Sequence, residues 1–382
     1  MLDERWSSAH SVLLIRLDNL GDMLLTTPAF HAVKEALPGA RLTLLASPMG
    51  AQVGNLDPDI DAVIIYQAPW MDPWGKLPQD SQREQQLIAQ IKEQHFDGAI
   101  IFTSYHQSAL PAAYLCYLSD IPLRAAASID GPGSLLTTRH KHPIRMMHEV
   151  ERGLDLVAAL GMTTIDDDMV LNVPDSALVR VSSMLVAHGA RQEKQPLVVV
   201  HPGCSMPART YPRELYTEVV RLLIEQLHAF VIVTGASDEQ ELVASILEGV
   251  PVEYQHTLLG QAGILSFPEL CALIQSADLT ITNNTGPMHI AAALKTPVVA
   301  LFALTNPPEQ WGPWHVPYRQ LYHDVSCRIC YQRVCPYQHE CLRLVSPGMV
   351  VAAAHELLTE VSTPFPINPT QKIANTQPQG IN

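Results

Sequence analysis

Residues 11–28, SVLLIRLDNLGDMLLTTP, hold the pattern from which the rest of the chain is read. Residues 12–17 form a short apolar run of β-compatible side chains, Asp18-Asn19-Leu20-Gly21-Asp22 forms a turn, and a helical pattern follows to about Leu37. A strand that feeds a loop and then a helix is the building unit of a parallel sheet covered by helices.

The unit recurs along the chain. Residues 41–46, 62–66 and 98–102 read as further strands, and residues 82–95 as a polar-faced helix. Residues 147–160 and 176–188 read as helices, the first stopped by Gly161, with a charged connector at 189–195. The alternation then restarts, with strands at 197–200, 230–234, 279–282 and 298–302 between helices at 212–227, 238–248, 266–275 and 287–294. Two such series predict an α/β fold of two doubly wound domains facing a central cleft, the first over 1–185 and the second over 196–345. A last amphipathic helix lies within 346–361, and the tail at 362–382, rich in Pro, Asn and Gln, is expected to be disordered.

Composition narrows the function classes. A chain of 382 residues, 47% hydrophobic and 16% charged, is long enough and apolar enough for two cores. A net charge of -14, from 24 Lys and Arg against 38 Asp and Glu, repels a phosphate backbone, and no basic stripe is visible to offset it; a nucleic-acid partner is not expected. The apolar runs are of strand length, short of the roughly 20 residues of a membrane helix, and residues 1–10 lack the apolar stretch of a secretory signal. The expected location is the cytoplasm. Neither a Gly-x-x-x-x-Gly-Lys-Ser/Thr loop nor a complete Gly-x-Gly-x-x-Gly fingerprint is present, which weighs against NTPase and dehydrogenase readings.

Strand-to-loop junctions carry the residues suited to chemistry. Asn284-Thr285-Gly286-Pro287-Met288-His289 follows a strand and opens a helix. Asn284 suits an N-cap, Gly286 lets a ligand approach the backbone, and Pro287 fits a first helical turn. Free N–H groups at such a start suit a pyrophosphate, and an ordinary strand-to-helix turn fits the residues equally well. His289 is a phosphate contact or a satisfied core histidine. In His201 to Pro212, Arg209 supplies a fixed cation and Ser205 a small hydroxyl. Glu239, in Gly235-Ala236-Ser237-Asp238-Glu239, is placed to accept hydrogen bonds from a ribose, although helix starts favour acids anyway. Asp22, at the end of the first strand, is either a helix cap or a general base for an attacking hydroxyl.

Of seven cysteines, Cys327, Cys330, Cys335 and Cys341 crowd one short segment. Four thiols there suit tetrahedral structural zinc, and free thiols or a pair of disulfides fit the same spacing.

Taken together, three ordered segments resemble glycosyltransferase family 9, the bacterial lipopolysaccharide heptosyltransferases. They are Leu14-Ile15-Arg16-Leu17-Asp18-Asn19-Leu20-Gly21-Asp22 with Leu25-Thr26-Thr27-Pro28, His201-Pro202-Gly203, and Asn284-Thr285-Gly286-Pro287-Met288-His289 with Ala291-Ala292-Ala293. The resemblance implies a GT-B fold of two Rossmann-like domains, an ADP-linked sugar held mainly by the C-terminal domain, inversion at the anomeric carbon, and no cofactor for catalysis. It also implies that the last helix packs back on the N-terminal domain. By position, Asp22 matches the proposed base, with Asn19 and Gly21 lining the reaction centre. Arg209 and Ser205 fall at the donor phosphates, Glu239 at the ribose and Leu265 beside the base. Thr285, Gly286 and His289 fall in the pyrophosphate loop. Asn284 stands where the family commonly has Asp, and Arg209 where Lys is usual. Arg139, Lys141, His148 and Arg152 are the candidates to meet a phosphorylated glycolipid or sugar acid. The four-cysteine segment resembles one in less characterised members. Expected partners are a nucleotide-sugar donor, an ADP-sugar, and a glycolipid or oligosaccharide acceptor reached by peripheral contact with the inner membrane face. A UDP-sugar transferase or epimerase of related fold, and an inactive sugar-nucleotide-binding paralogue, are the alternatives.

Overall fold

The computed structural model describes residues 2–72, 74–190 and 195–361; the expected disordered tail at 362–382 and residues 191–194 of the connector lie outside them. The first half runs β1 (Ser11–Arg16), α1 (Leu20–Leu24), α2 (Thr27–Ala36), β2 (Arg41–Ala46), α3 (Pro48–Gly54), β3 (Ala62–Ile65), α4 (Ser81–Glu93), β4 (Gly98–Ile101), α5 (Leu110–Leu118), β5 (Leu123–Ala127), β6 (Thr138–His140) and α6 (Glu149–Ala158). The second runs α7 (Asp175–Ala187), β7 (Leu197–His201), α8 (Arg213–Leu227), β8 (Phe230–Gly235), α9 (Gln240–Glu248), β9 (Leu258–Ala262), α10 (Phe267–Ser276), β10 (Leu279–Asn283), α11 (Gly286–Ala293), β11 (Val298–Leu301), α12 (Pro308–Trp311), β12 (Tyr318–Leu321), α13 (Glu340–Arg343) and α14 (Pro347–Val361).

The strands form two six-stranded sheets, ordered β3-β2-β1-β4-β5-β6 and β12-β11-β10-β7-β8-β9. Every pairing is parallel. Helices cover both faces, so the central strands are buried end to end and read as unbroken apolar runs, as LVVV in β7 does. In each sheet the strand order reverses beside the first strand, between β1 and β4 and between β7 and β10. The carboxyl ends of strands at such a reversal leave a crevice for ligand. The loops after β1, β4, β7 and β10 therefore decide the function.

Three expectations need correction. The single helix expected up to Leu37 is two, α1 and α2, because Pro28 cannot continue an i to i−4 ladder and two hydroxyls take over carbonyls there. Thr26 Oγ1 donates to the Asp22 carbonyl (2.7 Å) and Thr27 Oγ1 to that of Leu24 (2.9 Å). Helix α7, expected in the first domain over 1–185, packs against α10 of the second half, its Ala177, Val181 and Leu185 in one cluster with Cys271 and Ala272. Helix α14 packs against α8 and strands β10 to β12 rather than back on the N-terminal domain. Its apolar stripe of Val350, Val351, Ala354 and Leu357 completes the core beside α8 and over β10 to β12, an apolar face the second sheet would otherwise leave to water.

Candidate active site

Arg16, the last residue of β1, is a charged side chain at the end of an apolar strand and only 2% exposed. A buried guanidinium requires partners, and four oxygen-bearing side chains supply them. Its Nε stands 3.1 Å from Asp18 Oδ2, and its Nη2 lies 3.4 Å from Asp22 Oδ1 and 4.0 Å from Glu149 Oε2. Nη2 also donates to Ser104 Oγ (2.8 Å), and Ser104 donates onward to Asp22 Oδ1 (2.9 Å). Asp18 accepts from Gln107 Nε2 at 2.5 Å; burial nonetheless pushes its pKa up to about 6, against the pull of Arg16. Asp22 differs from these neighbours in being open to the cleft, with its side chain 24% exposed. The strand-end arginine thus holds one accessible carboxylate in a fixed position, the geometry a general base needs.

The opposing wall comes from the second sheet. Arg209 follows β7, its Nε donating to Thr305 Oγ1 (2.9 Å) and its Nη1 to the Asn284 carbonyl (3.5 Å). Burial lowers its pKa, and the nearby Asp22 carboxylate acts to raise it. His289 on α11 is 5% exposed and its Nδ1 has no hydrogen-bond partner; burial pulls its pKa down to about 4, leaving the ring neutral at pH 7. The two walls touch at α1 and α11. A Cβ on Gly21 would stand 2.6 Å from His289 Cδ2, so only glycine allows this approach, and one on Gly286 would stand 3.0 Å from Leu20 Cδ2.

Asn284 takes a different part from the one expected. The N-cap of α11 is Thr285, with no side-chain cap bond, while the Asn284 amide is buried and spent within the protein. Its Nδ2 donates to Asn306 Oδ1 (3.1 Å) and the Ala303 carbonyl (3.5 Å), and its Oδ1 accepts from the Ala303 N–H (3.1 Å). An amide donates and accepts at once, as an ionised carboxylate cannot, which accounts for Asn rather than Asp here. Glu239 Oε2 caps its own turn by accepting from the Ala236 N–H (2.8 Å), and the carboxylate lies over Gly203, where any Cβ would collide with it. Ser205 is exposed on the loop after β7, Leu265 is half-buried before α10, and Asn19 is exposed at the start of α1.

The residues expected at the acceptor are scattered. His148 is sealed between the walls: its Nε2 donates to the Gly312 carbonyl (3.0 Å), its Nδ1 accepts from the Val150 N–H (3.3 Å), and Trp314 stacks on it at 4.5 Å. Both ring nitrogens are used, so His148 is not free for a ligand. Arg152 pairs with Glu149 (3.2 Å) and lines, with Arg16, Thr103 and His142, a small hollow between β4 and α6. Arg139 donates to the carbonyls of Ser128 (2.9 Å) and Ile129 (2.6 Å), and Lys141 is exposed. Sequence reasoning passed over Arg16, Ser104, Glu149 and Gln310; only the arginine inside an apolar strand run left a local signal.

The cysteines also depart from expectation. All seven are unpaired, so the disulfide alternative is not formed. Among the described residues, the sets of three ligand atoms within 4.8 Å of one another are His140, His142 and Asp155, and Asp167, Asp168 and His315; the four clustered thiols form no such set. Structural zinc is unsupported, because tetrahedral Zn–S bonds of about 2.3 Å require the sulfurs to converge. In both sets that do converge, histidine nitrogens lie within hydrogen-bond reach of a carboxylate oxygen.

Two doubly wound sheets that close on one cleft, with a supported carboxylate on one wall and a cation beside a helix start on the other, define a GT-B glycosyltransferase. The sequence profile of glycosyltransferase family 9 (heptosyltransferase) matches residues 85–340. Lipopolysaccharide heptosyltransferase 3 of Escherichia coli K12 is 28% identical over 347 residues, 89% of this chain and 96% of that protein. A glycosyl transferase family 9 structure from Veillonella parvula DSM 2008 superposes with a TM-score of 0.75 at 20% identity, covering 92% of this chain and 98% of that one. An E. coli heptosyltransferase solved with ADP-2-deoxy-2-fluoro heptose superposes with a TM-score of 0.63 at 17% identity, covering 91% and 99%. The chain belongs to glycosyltransferase family 9.

Proposed function

We propose that this glycosyltransferase moves a heptose from ADP-heptose to a hydroxyl of a lipopolysaccharide-core or related surface glycan, with inversion and without a catalytic metal. The observation that carries the reading is the contact of α1, which bears Asp22, with α11, which bears His289 and beside whose start Arg209 donates to the Asn284 carbonyl. The acceptor oxygen attacks the anomeric carbon and its proton passes to Asp22. The bond from that carbon to the diphosphate breaks, and ADP leaves with the electron pair. Arg209 and the first turn of α11 meet the charge that develops on the diphosphate, the step at which fixed donors contribute most. With that charge held by side chain and backbone, the reaction has no need of a divalent ion. Attack on one face and departure from the other invert the centre.

Thr285, Gly286 and His289 are assigned to the pyrophosphate, Ser205 to a phosphate oxygen, Glu239 to the ribose and Leu265 to the adenine, with Asn19 and Gly21 bordering the sugar. The name of the E. coli K12 relative supports a lipopolysaccharide acceptor, and the ligand named for the solved E. coli enzyme supports an ADP-sugar donor. Arg152 and Lys141 remain as acceptor contacts. The acceptor is lipid-linked and met at the inner face of the cytoplasmic membrane; among the described residues no helix is long and apolar enough to cross it.

The test is calorimetric titration of ADP, UDP and GDP, followed by turnover of ADP-heptose with Asp22→Asn as control. Preference for ADP, retained in the variant while turnover is lost, is the expected result. Preference for UDP reassigns the donor, and full turnover by the variant removes Asp22 as base.

A further inference from the structure

Residues 131–148, GPGSLLTTRHKHPIRMMH, contain no Asp or Glu, in a chain whose net charge is -14. They contain Arg139, Lys141 and Arg145 together with three histidines. The segment begins beyond β5, forms the edge strand β6 and runs into α6. Its root is tied down: His140 Nε2 and His142 Nδ1 both lie against Asp155 Oδ2 of α6, at 2.6 and 2.7 Å. Beyond that anchor the chain turns outward, and Ile144 is 108% and Met146 57% exposed. Arg139, through its bonds to the carbonyls of Ser128 and Ile129, holds a second loop beside the first, with Ile129 91% exposed at its tip. Protruding aliphatic side chains between exposed cations, on a protein otherwise acidic, face water at a cost and suit a surface that is apolar beneath and anionic above. The chain's net charge of -14 weighs against a nucleic-acid partner for the same patch.

We propose that Ile129, Ile144 and Met146, flanked by Arg139, Lys141 and Arg145, dock the first domain on an anionic lipid surface. The placement deepens the reading of a lipid-linked acceptor and rests on it. His142, at the root of the segment, lines the same hollow as Arg152 and Arg16, and Arg16 holds Asp22. A head group rising from the bilayer beside Ile144 therefore enters the cleft on the base side, while the donor stays on the opposite wall. Among the described residues, Glu151 pairs with Arg145 at 3.4 Å at an exposed site, a pair that salt and water weaken.

The test is flotation of the full chain with phosphatidylcholine vesicles, with and without phosphatidylglycerol, across a salt series. The wild type is expected to float with the anionic vesicles alone and to release as salt rises, because each basic residue near such a surface strengthens binding by about fivefold. Ile129→Ser/Ile144→Ser and Arg145→Glu are expected to lose flotation while keeping ADP binding, the thermal midpoint and turnover on a delipidated acceptor. Equal binding to neutral vesicles, flotation unchanged in both variants, or no flotation by the wild type each overturns the proposal. ADP binding is read without lipid, so failure of the docking surface is distinguishable from failure of the transferase reading. Self-association in place of flotation, lost in the same variants, would also overturn it and make this face a contact between copies.

Discussion

Gln310 of α12 donates from Nε2 to Oε1 of Glu149 on α6, a buried hydrogen bond of 2.6 Å between residues 161 positions apart. The bond spans the two halves, and Glu149 in turn lies by Arg16, the residue that holds Asp22. The junction between the two halves and the position of the base are thereby linked through Glu149 and Arg16. Gln310→Leu leaves a buried carboxylate one donor short, with an expected loss of about 1–3 kcal/mol of unfolding stability. Denaturant titration checks the loss, and steady-state kinetics should show kcat falling while ADP affinity holds.

Asp22→Asn keeps the bonds to Arg16 and Ser104 sterically intact and removes the proton acceptor. Turnover is expected to fall by about 10²- to 10⁴-fold with ADP binding unchanged, read by single-turnover assay and calorimetry.

Gly21→Ala places a Cβ 2.6 Å from His289 Cδ2. The ring sits in a packed helix start and has little room to yield, so α1 and α11 must separate. The expected outcome is a lower kcat/KM and a lower thermal midpoint; Gly39→Ala, where nothing lies within 4 Å, is the control and should match wild type.

Asn284→Asp restores the residue common in the family and removes the donor to Asn306 and the Ala303 carbonyl. An unmet buried acceptor costs about 1–3 kcal/mol, so calorimetric unfolding should move to lower temperature. A stability unchanged by the substitution would mean that Asn284 is not held by the contacts described.

His148 sets a pH dependence. Its folded pKa, held at about 4 by burial, lies below the ordinary 6.5, so between those values the unfolded chain binds the proton and the folded one does not. Its contribution to stability is therefore full above about pH 6.5 and is lost as pH falls toward 4, by up to about 3 kcal/mol. In His148→Gln this component is absent, and the stability difference from wild type should shrink as pH drops from 7 to 4.5.

Much of this was legible in one dimension. Apolar runs of strand length alternating with amphipathic helices stand out because strands of a parallel sheet covered by helices are largely apolar, so β1, β2, β3, β4, β7, β8, β10 and β11 were all foreseen. Strands β5, β6, β9 and β12 were not, because they carry weak or mixed patterns such as TRH and YRQL. The loops that bear Asp22, Arg209 and His289 were found because they follow recognisable strands. The side chains that hold them were not, since Ser104, Glu149 and Gln310 lie 82 or more residues from the groups they serve.

The sequence by itself determined the two alternating series, the strand-end loops that carry the chemistry, and the family to which they belong, because each rests on neighbours within one turn or one strand. Tertiary structure alone decided that α7 and α14 both pack on the second half, that Asn284 and His148 are spent on internal bonds, that the four thiols do not converge, and that Gln310 reaches Glu149. Those outcomes depend on which apolar faces remain uncovered and which buried polar groups remain unpaired once the sheets have formed, and no local pattern records either.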